Sequence, residues 1–161
     1  MEQENLKPII DIIIQEVMKR INETIKEKKS KDREGLLLVF TGGTGSLDIA
    51  LNELKSLSNK YSFYAIFTPA AEKCIGKEKV KAYFDFEEID EDNLYGALSK
   101  TKILLFPTLT QNTAAKAVHG IRDSIGSEAL ACGLLLNKRV IAAQDSMPLR
   151  HMPATYAHMV G

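Results

Sequence analysis

A continuous apolar run followed by a glycine-rich loop decides the fold: Leu36-Leu37-Leu38-Val39-Phe40-Thr41-Gly42-Gly43-Thr44-Gly45-Ser46. Five consecutive apolar residues are typical of a strand that is buried on both faces of a parallel sheet. Apolar residues then recur at helical spacing through residues 46–59, so a helix follows the loop. A strand, a glycine loop and a helix in this order predict the first unit of an α/β sheet.

The alternation of strands and helices continues along the chain. Further strands are predicted at residues 62–67, 81–86, 103–106 and 139–143, and helices at 70–75, 94–99 and 111–136. Right-handed crossovers between successive parallel strands place helices on both faces of such a sheet. We therefore predict an α/β fold with a parallel, doubly wound sheet.

The first 34 residues are predicted to form a separate segment, an amphipathic helix with a charged linker, before a domain at residues 35–161. Apolar residues at spacings of three and four form one helix face; they are Leu6, Ile9, Ile10, Ile13, Val17, Ile21 and Ile25. Residues 26–34 hold no apolar side chain, which indicates a solvated helix end or a tether. The helix either packs on its own domain or on a second copy of the chain, or docks elsewhere.

The composition excludes several classes of function. The chain has 21 basic and 21 acidic residues, so we expect no general affinity for nucleic acid. No stretch approaches the roughly 20 apolar residues that span a bilayer, and the first apolar stretch, broken by charges, does not resemble a secretory signal. Cys74 and Cys132 fit no metal-ligand spacing. We expect a cytoplasmic protein with no metal site and no membrane partner.

The loop after the first strand has the composition of an anion site. Ligands of doubly wound sheets bind outside the carboxyl ends of the strands, at the switch point. Gly43, Thr44 and Gly45 allow a ligand close to the backbone, and the helix start that follows offers free N–H groups. Ser46 either caps this helix, hydrogen-bonds a phosphate, or does both. We predict a phosphate site here, with a purely structural turn as the alternative.

Two further loops leave the same edge of the predicted sheet. Thr68 follows the second strand, where its hydroxyl either reaches the same phosphate or caps a helix that begins at the next residue. After the fourth strand, five uncharged polar side chains occupy six positions: Thr108, Thr110, Gln111, Asn112 and Thr113. Short donors and acceptors in an apolar slot suit the edge of a redox or base-like heterocycle. The alternative is a polar turn with Thr110 or Asn112 as helix N-cap.

The segment from Pro107 to Asp123 resembles the flavin motif of one flavoprotein superfamily. That superfamily includes the homo-oligomeric flavin-containing cysteine decarboxylases, phosphopantothenoylcysteine decarboxylase, the flavoprotein component of dipicolinate synthase and dihydromethanopterin reductase-type flavoproteins. The residues that match in order are Thr110, Asn112, Thr113, Ala115, Lys116, Gly120, Ile121 and Asp123. Gly45, Ser46 and Thr68 match less specifically, and the resemblance covers residues 36–147.

The resemblance implies non-covalently bound FMN in a flavodoxin-like Rossmann three-layer sandwich. The implied cofactor-binding residues are Gly43, Thr44, Gly45, Ser46, Thr68, Thr108, Leu109, Thr110, Asn112, Thr113, Ala143 and Gln144. Gly45, Ser46 and Thr68 would hold the phosphate, and residues 108–110, 112 and 113 would line the isoalloxazine. Members of the superfamily are usually trimers or assemblies of trimers, which implies a homo-oligomer with the flavin near an interface.

Two departures from the cysteine decarboxylases direct the prediction toward redox chemistry. Those enzymes carry a catalytic histidine between the third strand and the next helix, whereas residues 84–102 contain none. They also carry Pro-Ala-Met-Asn after the fifth strand, where this chain has Ala142-Ala143-Gln144-Asp145. The carboxylate of Asp145 would repel a substrate carboxylate.

We therefore expect an FMN-dependent oxidoreductase or electron-transfer protein with a small-molecule or protein electron partner, and we assign no catalytic residue. The alternatives are an FMN-dependent cysteine decarboxylase and a non-catalytic flavin-binding or assembly protein. The three possibilities share the cofactor site and differ in what it does.

The N-terminal helix has a resemblance of its own. Its pattern of Ile9, Ile10, Ile13, Val17 and Ile21, followed by a charged linker, is similar to the encapsulation peptides of bacterial microcompartment cargo. Those peptides are short amphipathic helices joined flexibly to an enzyme. The resemblance implies a flavoprotein carried inside a microcompartment, with the helix in contact with the shell.

Overall fold

The structure is a computed structural model that describes residues 6–31 and 33–143, with side chains for residues 11–23 and 33–143. The chain divides into two compact units between Arg33 and Glu34. The assignment of residues 35–161 as an FMN-binding domain stays a prediction.

The first unit contains one described helix, α1 (Leu6–Lys31). Pro8 lies in its first turn, where the missing N–H has no helical partner to lose. The backbone stays helical as far as Lys31, so the charged segment is a helix end at least to that residue. All described side chains of this helix, at residues 11–23, are exposed, and the apolar ones among them are Ile12, Ile13, Ile14, Val17, Met18 and Ile21. Among the described residues, none of the helices combines the length and the hydropathy that a transmembrane span requires.

The second unit is built on a five-stranded sheet in which every pair of neighbouring strands is parallel. The strands are β1 (Glu34–Phe40), β2 (Tyr61–Phe67), β3 (Glu87–Glu88), β4 (Thr101–Phe106) and β5 (Arg139–Ala142). Their order is β3-β2-β1-β4-β5, the order of a Rossmann sheet. The decisive apolar run therefore forms the central strand, and the predicted flavodoxin-like Rossmann arrangement is confirmed.

Six helices of the described chain cover the two faces of the sheet: α2 (Leu47–Leu57), α3 (Pro69–Cys74), α4 (Lys77–Lys81), α5 (Leu94–Lys100), α6 (Gln111–Val118) and α7 (Ile125–Leu135). Leu36, Leu38 and Phe40 of β1 pack with α2, α3 and α4. Leu37 and Val39 face the other way and pack with α5, α6 and α7. Successive strand residues point to opposite faces, so a continuous apolar run serves both cores.

The third strand does not lie where the sequence predicts it. Lys81 ends α4, and the strand that pairs with β2 on the side away from β1 is the two-residue β3. Phe84 is buried without being in a strand, with its ring centroid 4.7 Å from that of Phe63. The prediction of a strand at 81–86 was wrong because Phe84 packs into the core from the segment that connects α4 to β3, and not from a strand.

The long helix predicted at residues 111–136 is two helices with a corner between them. Gly120 has a φ of +70°, which ends the α6 segment. The corner at residues 119–124 then leads into α7, whose first turn has a reciprocal capping box between Ser124 and Ser127. Gly120 therefore lies in the corner between the two helices.

Candidate functional site

The carboxyl ends of β1 and β4 form the switch point of the sheet. β1 is flanked by β2 on one side and by β4 on the other, so the connections that leave β1 and β4 diverge at this position. Two predicted ligand loops, 41–46 and 107–110, begin here, directly after Phe40 and Phe106. The third, at Thr68, follows β2 at the neighbouring position.

A buried threonine joins two of these loops. The hydroxyl of Thr41 donates a hydrogen bond to the carbonyl oxygen of Thr108 at 2.8 Å. The hydroxyl oxygen of Thr41 also accepts a hydrogen bond from the backbone N–H of Thr110 at 2.9 Å. Thr41 belongs to the predicted polar loop but was not among the predicted cofactor-binding residues, although a hydroxyl placed directly after a buried central strand was a usable signal. These two hydrogen bonds therefore fix the distance between the loop after β1 and the loop after β4.

The glycine loop comes close to the start of α3. A Cβ atom on Gly42 would lie 3.0 Å from the Cβ of Ala70 and 3.1 Å from its carbonyl carbon. Gly42 also has a φ of +99°, a conformation that L side chains rarely adopt. This position therefore requires glycine for structural reasons. The neighbouring Gly43 is buried and Gly45 is half-buried.

The end of this loop presents free polar groups to solvent. Thr44 and Ser46 are exposed, and Ser46 occupies the N-cap position of α2 without a side-chain capping hydrogen bond. Ser46 has a φ of +49°, so the backbone turns sharply at the helix start. Of the two predicted roles for Ser46, helix capping is not seen in this structure. The arrangement leaves the hydroxyl and the helix N–H groups able to hold an anion.

Charges near this helix start are balanced. Asp48, in the first turn of α2, forms an ion pair with Lys79 at 2.8 Å. The hydrogen bond from Lys79 lowers the pKa of Asp48, and Tyr83 contributes in the same direction at 3.4 Å. An anion at the loop therefore meets a neutralised carboxylate and a nearby ammonium group.

Thr68 has a structural role in addition to any ligand contact. Its backbone N–H donates to the carbonyl oxygen of Phe40 at 3.1 Å, which fixes it beside β1. Its hydroxyl oxygen accepts from the N–H of Ala71 at 3.2 Å and so caps α3. The hydroxyl proton remains able to donate to a phosphate.

The predicted ring-binding residues are divided between the core and the surface. Thr108 is fully buried, and its hydroxyl is the one buried side-chain oxygen or nitrogen without a hydrogen-bond partner in the described chain. The side chain of Leu109 lies in the core with α5, α6 and α7. Thr110 and Thr113 share a hydrogen bond of 3.1 Å between their hydroxyls, whereas Asn112 is exposed. Thr110 stands at the N-cap of α6 without a side-chain cap.

The end of β5 closes the same loop from the side. Ala143 donates its N–H to the carbonyl oxygen of Phe106 at 3.0 Å and accepts from the N–H of Leu109 at 3.1 Å. This pairing brings Ala143 to the predicted site through its backbone. Gln144 and Asp145 lie outside the described residues.

The first turn of α7 packs against all three loops. A Cβ atom on Gly126 would lie 2.8 Å from Cγ2 of Thr68, 3.5 Å from that of Thr41 and 3.9 Å from that of Thr113. Any side chain at residue 126 would therefore push the helix away from the carboxyl edge. The sequence prediction missed Gly126, and no local pattern distinguishes it from an ordinary helix glycine.

The most specific part of the sequence motif builds the corner between α6 and α7. The ammonium of Lys116 contacts both carboxylate oxygens of Asp123, at 2.7 and 2.9 Å. The N–H of Ile121 donates to the carbonyl oxygen of Lys116 at 2.7 Å, and Gly120 supplies the left-handed turn. Lys116 to Asp123 therefore positions α7 and its first turn at the candidate site.

A cleft of about 330 Å³ lies on the outer side of α7, between this helix and α5. It is lined by Glu91, Leu94, Tyr95, Arg122, Asp123, Ser124, Ile125 and Glu128. The hydroxyl of Tyr95 donates to Glu128 at 2.6 Å, and this bond raises the pKa of Tyr95 to about 12. The same bond lowers the pKa of Glu128, so the pair is a phenol and a carboxylate near neutral pH.

The fold and the loops define an α/β protein with a candidate ligand site at the switch point of a Rossmann sheet. No protein-family model and no curated protein sequence matches the chain. Several solved structures share the fold, at sequence identities of 20% or less for those compared next.

One of these structures is DmrB of Burkholderia xenovorans in complex with FMN, described as a cubic protein cage for redox transfer. It is 18% identical, with a TM-score of 0.56, and the match covers 67% of this chain and 63% of DmrB. A dodecameric FMN-dependent UbiX-like decarboxylase from Escherichia coli is 20% identical, with a TM-score of 0.63 and coverage of 78% and 72%. The FMN-dependent cysteine decarboxylase TvaF of thioviridamide biosynthesis is 14% identical, with a TM-score of 0.61 and coverage of 78% and 81%.

Proposed function

We propose that this protein is a flavoprotein that binds FMN at the carboxyl edge of β1, β2 and β4. The observation that carries the proposal is the meeting of three polar loops at the carboxyl edge of the sheet, where Thr41 joins two of them and Gly126 packs against all three. Solved structures with this fold include FMN complexes and FMN-dependent enzymes, which supports the choice of cofactor.

Residues in the three loops fit the two ends of FMN. Thr44 and Ser46 expose hydroxyls at an uncapped helix start, and Thr68 retains a donor, which suits a phosphate. Thr110, Thr113 and the orphaned hydroxyl of Thr108 suit the polar edge of the ring system. Gly43, Gly45, Leu109 and Ala143 would contribute backbone groups, and Asn112 an amide. When bound, FMN supplies hydride or single-electron transfer.

A matched pair of serine variants tests the phosphate site. Ser46→Ala removes an exposed hydroxyl from the loop, whereas Ser56→Ala removes one that bonds only within α2, to the carbonyl oxygen of Glu53. We expect Ser46→Ala to weaken FMN binding about tenfold, the effect of one hydrogen bond to a charged group, and Ser56→Ala to leave it unchanged. Flavin fluorescence titration measures both. Wild-type protein that is colourless and does not bind FMN would reject the proposal.

Oxidation–reduction of a small molecule or a protein partner is the reaction that we propose for the bound flavin. Residues 84–102 contain no histidine, whereas the cysteine decarboxylases that the motif resembles carry a catalytic histidine in this segment. Anaerobic titration with NADH and NADPH tests this reaction, because reduction bleaches the flavin absorbance.

Decarboxylation of a cysteine-containing substrate is a second candidate of equal standing. Structures that share the fold include the cysteine decarboxylase TvaF and a UbiX-like decarboxylase. Release of CO₂ from a peptide with a C-terminal cysteine, or from a pantothenoyl cysteine, would favour this reaction. Flavin binding with neither reaction would favour the non-catalytic alternative.

We further propose that the protein is a homo-oligomer and that α1 mediates an additional contact. DmrB and the UbiX-like decarboxylase are described as a cage and a dodecamer, which supports assembly. The exposed apolar stripe of α1 fits either a second copy of the chain or a microcompartment shell. Deletion of residues 1–30 separates these two: smaller oligomers indicate assembly, whereas unchanged oligomers with lost co-localisation indicate docking.

A further inference from the structure

The first turn of α7 has contacts on two sides. On one side Gly126 touches the threonines of the candidate site, with room for no side chain. On the other side, two residues later, Glu128 faces α5 and the cleft. A small displacement of this turn would therefore move the threonines at the carboxyl edge of the sheet, because atoms in van der Waals contact transmit it.

One carboxylate oxygen connects the elements around this turn. Oε1 of Glu128 accepts a hydrogen bond from Tyr95 of α5 at 2.6 Å and from the thiol of Cys132, one turn along α7, at 3.2 Å. Nη1 of Arg122, in the corner before α7, lies 3.6 Å from the same oxygen. The side chain of Glu128 is only 19% exposed. The short bond from Tyr95 is charge-assisted, which makes it stronger than a neutral one.

We infer that Tyr95 and Glu128 are positioning residues for the flavin edge, which they hold in place through the first turn of α7. The inference rests on the proposed function and adds two residues that are not among the predicted cofactor-binding residues. Removal of the bond would let α7 shift against Thr68 and Thr113. Residues outside a ligand's contacts change coupling free energies enough to alter affinity about two- to thirtyfold.

The test compares hydroxyl deletions on the same helix. Tyr95→Phe removes the bond between α5 and α7, whereas Ser99→Ala removes a bond that stays within α5, from the serine hydroxyl to the carbonyl oxygen of Gly96. We expect Tyr95→Phe and Glu128→Ala to weaken FMN binding two- to thirtyfold and to change the visible circular dichroism of bound FMN. Glu128→Gln, which can still accept from Tyr95, should restore part of both. Ser99→Ala should change neither.

Visible circular dichroism separates positioning from a merely stabilising role, because it reports the surroundings of the flavin. Unchanged affinity and dichroism in Tyr95→Phe, even with a lowered melting temperature, would overturn the inference. If the wild-type protein binds no FMN, the proposed function fails and amide exchange of residues 41–46 and 107–113 becomes the readout. Faster exchange in Tyr95→Phe than in Ser99→Ala would then support positioning, and equal exchange would overturn it.

Discussion

Three hydroxyl side chains at the carboxyl edge differ in their burial and in their hydrogen bonding. Thr41 is buried and satisfied on both sides, with the carbonyl of Thr108 as acceptor and the N–H of Thr110 as donor. The hydroxyl of Thr108 is buried and unsatisfied, whereas Ser46 is exposed and uncapped. Of these three hydroxyls, those of Thr108 and Ser46 have no internal hydrogen bond to lose when a ligand binds, whereas that of Thr41 has two.

Valine substitutions at two threonines distinguish these situations. Thr41→Val should destabilise the protein by about 2 kcal/mol, because it leaves a buried carbonyl and a partly buried N–H unpaired. Thr108→Val removes a hydroxyl that has no partner, so the free energy of unfolding should stay equal or rise by up to about 1 kcal/mol. Urea denaturation of the FMN-free protein measures both.

The Thr108 substitution also has a second readout. If its hydroxyl bonds to FMN, Thr108→Val should weaken binding while the free protein is not destabilised. A large loss of stability in Thr108→Val would show that its oxygen has an internal partner, contrary to the structure.

At the scale of elements, the position of α7 depends on its first turn. Gly126→Ala should destabilise by about 1–3 kcal/mol, because the added Cβ would lie 2.8 Å from a β-branched, buried side chain. Gly96→Ala, in α5, is the matched control, since nothing lies within 4 Å of its added Cβ. That control should stabilise by up to about 1 kcal/mol through helix propensity. Equal effects in thermal denaturation would contradict the packing described for α7.

The corner between α6 and α7 predicts a pH dependence. The hydrogen bond from Lys116 lowers the pKa of Asp123 in the folded protein. A lowered carboxyl pKa contributes stability above the unfolded value of about 4, and this contribution is lost as the pH falls through the lower folded value. Asp123→Asn should therefore be less stable than wild type at pH 7 and approach it below pH 4, in denaturation series at several pH values. A constant difference across that range would contradict the assignment.

At the scale of the whole molecule, exposed apolar side chains mark one part of the second unit. Leu134, Leu135 and Leu136, at the end of α7, are all exposed, as is Ile141 of the edge strand β5. Such a patch beside an edge strand favours association with another chain. The proposed homo-oligomer gives this surface a partner of the same sequence.

A charge placed in this patch tests the assembly. Leu135 is 71% exposed, so Leu135→Lys should leave the fold intact and reduce the mass measured by light scattering. Ile49→Lys, on α2 and 67% exposed, is the control and should leave the mass unchanged. A wild-type monomer would reject the proposed oligomer, and an unchanged oligomer in Leu135→Lys would place the interface elsewhere.

Local pattern was sufficient for four of the five strands and for the loops at the carboxyl edge of the sheet. Leu36–Phe40 is apolar at every position because a central parallel strand is buried on both faces, and the loop of residues 41–46 follows it without a gap. The strand and the loop each consist of residues that are adjacent in the chain, so the sequence pattern alone is enough to predict them. The same reasoning failed at residues 81–86, since burial of Phe84 outside a strand leaves the same apolar signal as a strand.

Tertiary structure alone decided which residues hold the site together. Thr41 and Thr110 are 69 residues apart, and Tyr95 and Glu128 are 33 apart, so no local pattern relates them. The motif from Lys116 to Asp123 was recognisable in the sequence, but only the folded chain shows that it forms the corner that places Gly126 against Thr68. Sequence determines backbone periodicity and turn chemistry because these act over a few residues, whereas side-chain contacts between elements exist only after the sheet brings them together.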